Sequence, residues 1–143
     1  MLIAAILRAK GPEVVSVAPE ATVAQLLTEL ARHNIGAVVV AAEDDTLVGI
    51  VSERDVVRHL ERRGPDLLSA PVSDIMTSDV VTCTPDDSVE EISEHMTMRR
   101  FRHVPVTSEG RLAGIVSIGD LVKSRLRILE DDRAQLEAYI HGR

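Results

Sequence analysis

Val14-Val15-Ser16-Val17-Ala18-Pro19 lies over Val80-Val81-Thr82-Cys83-Thr84-Pro85 when the sequence is aligned with itself at an offset of 66 residues. The match runs on through Thr22/Ser88, Val23/Val89, Leu26/Ile92, Leu30/Met96, Val38/Val104 and Val40/Val106. One deletion in the following turn lowers the offset to 65. Leu47-Val48-Gly49-Ile50-Val51-Ser52 then matches Leu112-Ala113-Gly114-Ile115-Val116-Ser117, and Asp55 falls on Asp120. A repeat of this length dictates architecture before any single element is assigned. The chain is one unit written twice.

Local signals in both copies agree on a β-α-β-β-α order. The first segment, with Val14, Val15 and Val17, is short, β-branched and closed by Pro19, as a strand edge should be. Thr22-Val23-Ala24-Gln25 and Ser88-Val89-Glu90-Glu91 both read as capping boxes that start helices. Val23, Leu26, Leu27 and Leu30 then recur on one helical face, and copy two keeps Val89, Ile92 and Met96. Two apolar runs, Ala37 to Ala42 and Leu47 to Ser52, are joined by the polar Glu43-Asp44-Asp45-Thr46 and predict a hairpin. Val104 to Thr107 and Leu112 to Ser117 repeat it around Ser108-Glu109-Gly110-Arg111. A second helix follows each hairpin, from about Glu53 to Arg63 and from about Ile118 onward.

The expected organisation is a first repeat over 1–64, a linker over 65–73 opened by the Gly64-Pro65 stop, and a second repeat with a C-terminal helix over 74–143. A unit of about 60 residues is marginal alone. The two copies are therefore expected to pack about a pseudo-twofold axis around a shared core, as an α/β (α+β) fold with clefts where they meet.

Composition narrows the function. The chain has 143 residues, 45% hydrophobic and 27% charged, which is the balance of a globular protein rather than a disordered one. Phe101 and Tyr139 are its only aromatic residues, so base stacking has almost nothing to work with. A formal charge of −7 disfavours nucleic acid and anionic membrane as partners. No apolar run is long enough to span a bilayer, Met1 to Ile6 is too short for a signal-peptide core, and the lone Cys83 reads as a small buried hydrophobe. A reducing, cytoplasmic setting is expected.

The five histidines, His33, His59, His95, His103 and His141, show no paired ligand spacing, and no metal site is expected. Ser52 and Ser117 have no evident partner base, and no phosphate-loop glycine pattern is present. No catalytic residues, and no enzymatic activity of its own, are expected. What each copy does carry is a Gly-x-x-Ser-x-x-Asp turn, Gly49 to Asp55 and Gly114 to Asp120, where a strand enters a helix. Such a turn sets a hydroxyl and free amides at the positive end of a helix, where phosphate is welcome. The Asp can accept two hydrogen bonds from a ribose diol. Ser-x-x-Asp is equally a capping box, so the residues alone leave both roles open.

The repeat, the element order, the His103-Val104-Pro105-Val106 strand and the two turns together resemble the cystathionine β-synthase (CBS) domain. Two such domains in tandem form a Bateman module, and the likeness, over about residues 1 to 125, is to stand-alone bacterial CBS pairs. The resemblance implies a regulatory sensor that binds an adenosine-containing ligand (AMP, ADP, ATP, NAD or S-adenosylmethionine) in a cleft between the repeats. No catalytic cofactor is implied. By the same resemblance, Ser52, Asp55, Ser117 and Asp120 would meet ribose and phosphate, and Val15, Val17, Val81 and Cys83 would border adenine.

Arg102 and His103, two and three residues before Pro105, would meet phosphate, with Arg54 beside them; a solvated face is the other reading of the Arg99-Arg100-Phe101-Arg102-His103 run. The family pattern combines Asp55 with Arg102 and His103 in one cleft. It leaves Asp120 with Gly36 and Ala37, which carry no cation, unless Arg8 or Lys10 supplies one. Past the second repeat, Val122, Leu126, Leu129, Arg133, Leu136 and Ile140 alternate in steps of four and three, a helix-pairing seam with one misfit. Burial against its own module and pairing in a homodimer are both open. The expected partners are thus the adenosyl ligand, a second copy and an output protein; a constitutive dimeric scaffold without a nucleotide is the alternative.

Overall fold

The computed structural model describes residues 1–142. Its elements run α1 (Ile3–Lys10), β1 (Ser16–Val17), α2 (Val23–His33), β2 (Ala37–Ala41), β3 (Leu47–Ser52) and α3 (Glu53–Arg63). Two short 3-10 turns, Gly64–Ser69 and Val72–Asp74, lead to α4 (Val89–Arg99), β4 (His103–Ser108), β5 (Arg111–Ser117) and α5 (Ile118–Gly142).

Helix starts follow the sequence. Thr22 Oγ1 accepts from the Gln25 amide at 3.1 Å while Gln25 Oε1 accepts from the Thr22 amide at 2.9 Å, a complete capping box. In the second copy Ser88 caps through the Glu91 amide alone, at 3.1 Å. α2 buries Val23, Leu26 and Leu30, whereas Leu27 stays at the exposed edge of that face. Asn34 after α2 and Arg100 after α4 cap the helix ends, both in the left-handed conformation.

Each hairpin pairs antiparallel in equivalent register, Ala37 opposite Ser52 and His103 opposite Ser117, with an irregularity near each turn. β1 adds in parallel to β2, making a three-stranded sheet in the order β1-β2-β3. The expected first strand of copy two shrinks to one bridge, Cys83 with Val106. Cys83 donates to the Pro105 carbonyl at 3.0 Å and accepts from Thr107 at 2.9 Å. The next rung back would need the amide of residue 105, and proline has none.

Two observations revise the expected packing. The core is not shared: Val17, Leu26, Val38, Val40 and Val51 anchor one cluster, and Cys83, Ile92, Met96, Val104 and Val106 another. Each cluster is also completed by a segment from outside the β-α-β-β-α unit. Leu67 and Val72 of the linker and Ile75 just after it fill the first core, and Ile3 and Ile6 of α1 fill the second. The chain division at 64 and 73 is therefore crossed in space.

Backbone bonds show that the two segments play one role. Val72 donates to Ala21 at 2.7 Å, Ser73 to Pro19 at 3.0 Å, and Val23 to Ala70 at 2.9 Å. Ile3 donates to Asp87 at 2.9 Å, Ala4 to Pro85 at 2.9 Å, and Val89 to Met1 at 3.0 Å. The partners inside the repeats match at offset 66 (Ala21/Asp87, Pro19/Pro85, Val23/Val89) but those in the bracing segments at 69 (Val72/Ile3, Ser73/Ala4, Ala70/Met1), one segment being a 3-10 turn and the other an α-helix.

These segments explain the glycine that opens each Gly-x-x-Ser-x-x-Asp turn. A Cβ on Gly49 would lie 2.6 Å from the Thr77 carbonyl oxygen, and one on Gly114 would lie 2.6 Å from Leu7 Cδ2. α5 runs on past the module: only Leu121 and Ser124 are buried along it, and Val122, Leu126, Leu129, Leu136 and Ile140 are exposed. Among the described residues nothing covers the seam. Among the described residues no helix is long and apolar enough to cross a membrane.

Gly49→Ala meets backbone, which cannot give way, whereas Gly114→Ala meets the far end of a leucine. Urea unfolding should show Gly49→Ala costing about 1–3 kcal/mol and Gly114→Ala clearly less; equal costs would mean that the Thr77 crossing does not constrain the hairpin.

Candidate functional site

β3 ends in Ser52, and α3 starts one residue later, so the first Gly-x-x-Ser-x-x-Asp turn sits at the mouth of a cleft of about 280 Å³ between the repeats. The first repeat lines it with Ser52, Arg54, Asp55 and Arg58, and the second with Arg100, Arg102 and His103. Asp55 Oδ2 accepts from the Ser52 amide at 2.8 Å and from Ser52 Oγ at 3.1 Å. The capping role of the pair is thus real. It engages only one carboxylate oxygen, and Oδ1 has no bond to the described residues.

Four arginines, Arg54, Arg58, Arg100 and Arg102, border this cleft, and among the described residues none of them is in an ion pair. Glu53 and Asp55 are the only carboxylates there, so a chain of net charge −7 has gathered a locally positive wall. Arg58 and Arg100 were not anticipated. Arg58 follows Arg54 by one helical turn, a spacing that marks one face. Arg100 is placed by its left-handed backbone at the end of α4.

Gly36 and Ala37 border the Asp55 cleft, whereas the hollow beside Asp120 is lined by Ala9, Lys10, Lys123 and Arg127. The hairpin register requires it, since Ala37 pairs with Ser52 and Glu53 donates to the Gly36 carbonyl at 2.9 Å. The four positions expected to border adenine do not line this cleft. Val17 and Cys83 are buried in the two cores, and Val15 packs on the first. Val81 faces a separate hollow with Phe101 and Val104. Burial, with Asp87 nearby, pushes the Cys83 thiol up to about 11, which removes it from thiolate chemistry at neutral pH. Among the described residues no three His, Cys, Asp or Glu side chains gather as metal ligands.

A family model for the CBS domain matches residues 10–62 and again 72–127. The chain belongs to the CBS-domain family. A crystal structure of a CBS-domain-containing protein from Agrobacterium tumefaciens superposes with a TM-score of 0.83 and 43% identity, covering 87% of this chain and 99% of that one. A CBS-domain protein from Pyrobaculum aerophilum, solved in complex with AMP, gives a TM-score of 0.78 and 34% identity over 91% and 97% of the two chains. The mitochondrial CBS-domain protein CBSX3 of Arabidopsis thaliana is 37% identical over 125 residues, 85% of this chain and 61% of that protein. This CBS pair therefore spans less than two thirds of the length of that relative.

The second turn of the CBS pair is built like the first but occupied differently. Asp120 Oδ2 accepts from the Ser117 amide at 2.9 Å, and Ser117 Oγ accepts from the Asp120 amide at 3.1 Å. The same Oδ2 also accepts from Lys10 Nζ at 2.8 Å, so a cation stands where Gly36 and Ala37 were expected to leave none. Burial works to raise the Asp120 pKa, but the bonds from Lys10 and Ser117 outweigh it and hold the carboxyl below its ordinary value.

His103 stands between the two turns. Burial lowers its pKa below the ordinary 6.5, Asp120 and Glu53 pull it up, and Lys10 and Arg102 push it down. It is mainly neutral at pH 7. Because the unfolded chain takes up this proton more readily, the contribution of His103 to stability is complete above about pH 6.5 and is lost as the pH falls through the folded value. Urea unfolding between about pH 7.5 and 5.5 should therefore show a steeper loss for the native protein than for His103→Gln. Parallel curves would mean that the ring is not buried as described.

Proposed function

We propose that this CBS pair is a cytoplasmic regulatory sensor rather than a catalyst, and that an adenosine-containing nucleotide (AMP, ADP, ATP, NAD or S-adenosylmethionine) is its signal. The observation that carries the reading is the Asp55 cleft. One carboxylate oxygen is free to accept from a ribose diol, and four unpaired arginines face it from both repeats. The amides and hydroxyl of the Ser52 turn sit at the positive end of α3, which suits the phosphate of the same ligand. The AMP complex of the Pyrobaculum aerophilum protein supports the choice of ligand class. A nucleotide that bridges Asp55 of one repeat and Arg102 of the other favours one relation between the repeats, and an output protein reads it; the shift is limited by the difference in affinity for the two arrangements.

A ligand at about 100 times its dissociation constant stabilises a protein by roughly 2.7 kcal/mol, so a thermal-shift panel of the five ligands identifies the binder. Calorimetry should then show Asp55→Ala weakening AMP by roughly ten- to 150-fold, the value of a charge-assisted contact. Arg102→Ala should weaken AMP far more than adenosine, which has no phosphate to lose. Absence of any shift would favour the scaffold without a nucleotide, and AMP binding kept at its native strength in Asp55→Ala would mean that Asp55 only caps α3.

The same module is proposed to be a homodimer paired through α5. The exposed stripe of Val122, Leu126, Leu129, Leu136 and Ile140 has no cover in the chain. Its first half carries Lys123, Arg125 and Arg127, and its second half Glu130, Asp131, Asp132 and Glu137 against the single cation Arg133. Antiparallel pairing with a second copy sets each basic half against an acidic one. It also gives the misfit Arg133, now bonded to Glu137 at 3.0 Å in its own helix, further carboxylates at the centre. Sedimentation should show a dimer that Leu136→Glu converts to monomer; a native monomer, or a variant that stays dimeric, would move the interface elsewhere.

A further inference from the structure

His103 is the one histidine of the five that lines the Asp55 cleft. The ring of His33 is bonded to Glu29 and that of His59 to the Asp55 carbonyl, whereas neither ring nitrogen of His103 has a partner among the described residues. Nor is either nitrogen sealed in. Among those residues every buried side-chain nitrogen or oxygen has a hydrogen-bond partner, so an unpartnered one must reach water. A half-buried ring at the start of β4 thus keeps both nitrogens free to meet a visitor to the cleft.

Charged groups face this ring from the elements around it. Lys10 comes from α1, Glu53 from the first turn of α3, Arg102 from the segment before β4, and Asp120 from the first turn of α5. Arg54, Asp55, Arg58 and Arg100 line the same cleft, and Ser117, the partner of His103 on β5, is uncharged. Asp120 and Glu53 favour the charged ring while Lys10 and Arg102 oppose it, so burial decides and the ring is mainly neutral at pH 7. A phosphate held by Arg102 and the Ser52 turn adds an anion to this balance. It favours the imidazolium, whose charge-assisted N–H contact to a phosphate oxygen is stronger than that of a neutral ring.

Resting on the reading that a phosphate-bearing adenosyl ligand enters the Asp55 cleft, we propose that His103 makes its binding depend on pH: the phosphate draws a proton from solvent onto the ring, and the imidazolium so formed donates its N–H to a phosphate oxygen. The complex then holds more protons than the free chain. Binding strengthens as the pH falls from about 7.5 towards 6, by at most about tenfold for each unit by which the ring's titration is raised. Above that window the ring is neutral in both forms and adds nothing. Adenosine, which has no phosphate, leaves the ring neutral.

The phosphate of AMP itself titrates near pH 6, and arginines that hold it ionised release a proton, the opposite sign. The test therefore compares the native full chain with His103→Gln, because the ligand's own titration is common to both. Calorimetry of AMP at pH 7 in PIPES, MOPS and imidazole buffers, whose heats of ionisation differ, counts the protons exchanged. Native protein should take up a few tenths of a proton more per AMP than His103→Gln, and its advantage in affinity should widen several-fold between about pH 7.5 and 6. Equal proton counts, or a constant ratio of affinities, overturn the proposal, as does a proton difference that adenosine reproduces. A second measurement needs no variant at position 103. The histidine ring signals of the native chain are followed by NMR over the same range, that of His103 being assigned by replacing His33, His59, His95 and His141 in turn. Saturating AMP should raise the pH at which it titrates by about half a unit or more, and an unmoved or lowered value overturns the proposal. Failure of the underlying reading has a different signature: the native chain then binds no AMP at any pH, and the proposal falls with it.

Discussion

Thr77 crosses the β2–β3 hairpin so closely that residue 49 has no room for a side chain, and the two-repeat arrangement depends on that crossing. Ile50 and Thr77 exchange backbone bonds at 3.0 and 2.9 Å, so the segment after the linker is fastened to the first repeat before it departs for the second. A unit of about 60 residues buries too little surface to be secure alone, and the linker with the residues just after it supplies what is missing through Leu67, Val72 and Ile75. α1 does the same for the second repeat through Ile3 and Ile6. The chain thus braces each repeat with a segment that precedes or follows the other, which ties the relative placement of the repeats to the stability of both. The cleft between them inherits its shape from that brace, because Thr77 is part of its wall.

The cleft is also where the charge balance of the molecule is locally reversed. Four arginines border it without a carboxylate partner among the described residues, and their like charges raise the local potential in a chain of net charge −7. Its members come from two short stretches, one turn of α3 and the left-handed exit from α4. Arg100 and Arg102 lie on one irregular segment because α4 stops at Arg99 and β4 begins at His103. The unusual backbone of Arg100 is therefore tied to the position of the positive wall.

Much of this was legible in the sequence, and the parts that were not have identifiable causes. Both hairpins, both long helix pairs and the Ser52/Asp55 and Ser117/Asp120 turns follow from β-branched runs, turn residues and capping boxes, all local signals. α1 escaped because Ile3 and Ile6 are too few apolar positions to declare a helix face, and because its partner in the repeat sits at offset 69 with a different helix type. The shrunken first strand of copy two was written in Pro105, whose missing amide removes a rung. The single-core expectation failed because face-to-face packing was assumed to bury both sheets together, whereas the bracing segments let each repeat close its own core. Leu27 was misjudged for a geometric reason: the face that α2 buries is narrower than its apolar stripe.

The two turns, similar in sequence, end in different electrostatic states, and His103 is where the difference is felt. Its pKa responds to Asp120 and Lys10 on one side and to Glu53 and Arg102 on the other, while its backbone is paired to Ser117 and its ring borders the Asp55 cleft. An anion arriving beside Arg102 would favour the charged form of the ring. A proton taken up there would in turn weaken the hold of Lys10 on Asp120 by adding a like charge near the ammonium. Lys10 is the last residue of α1, and Asp120 lies in the first turn of α5, so strain at that pair acts on the root of a helix of 25 residues, roughly 37 Å long. The Asp55 cleft and the Lys10–Asp120 pair are thus linked electrostatically through one half-buried imidazole, which burial holds mainly neutral at pH 7.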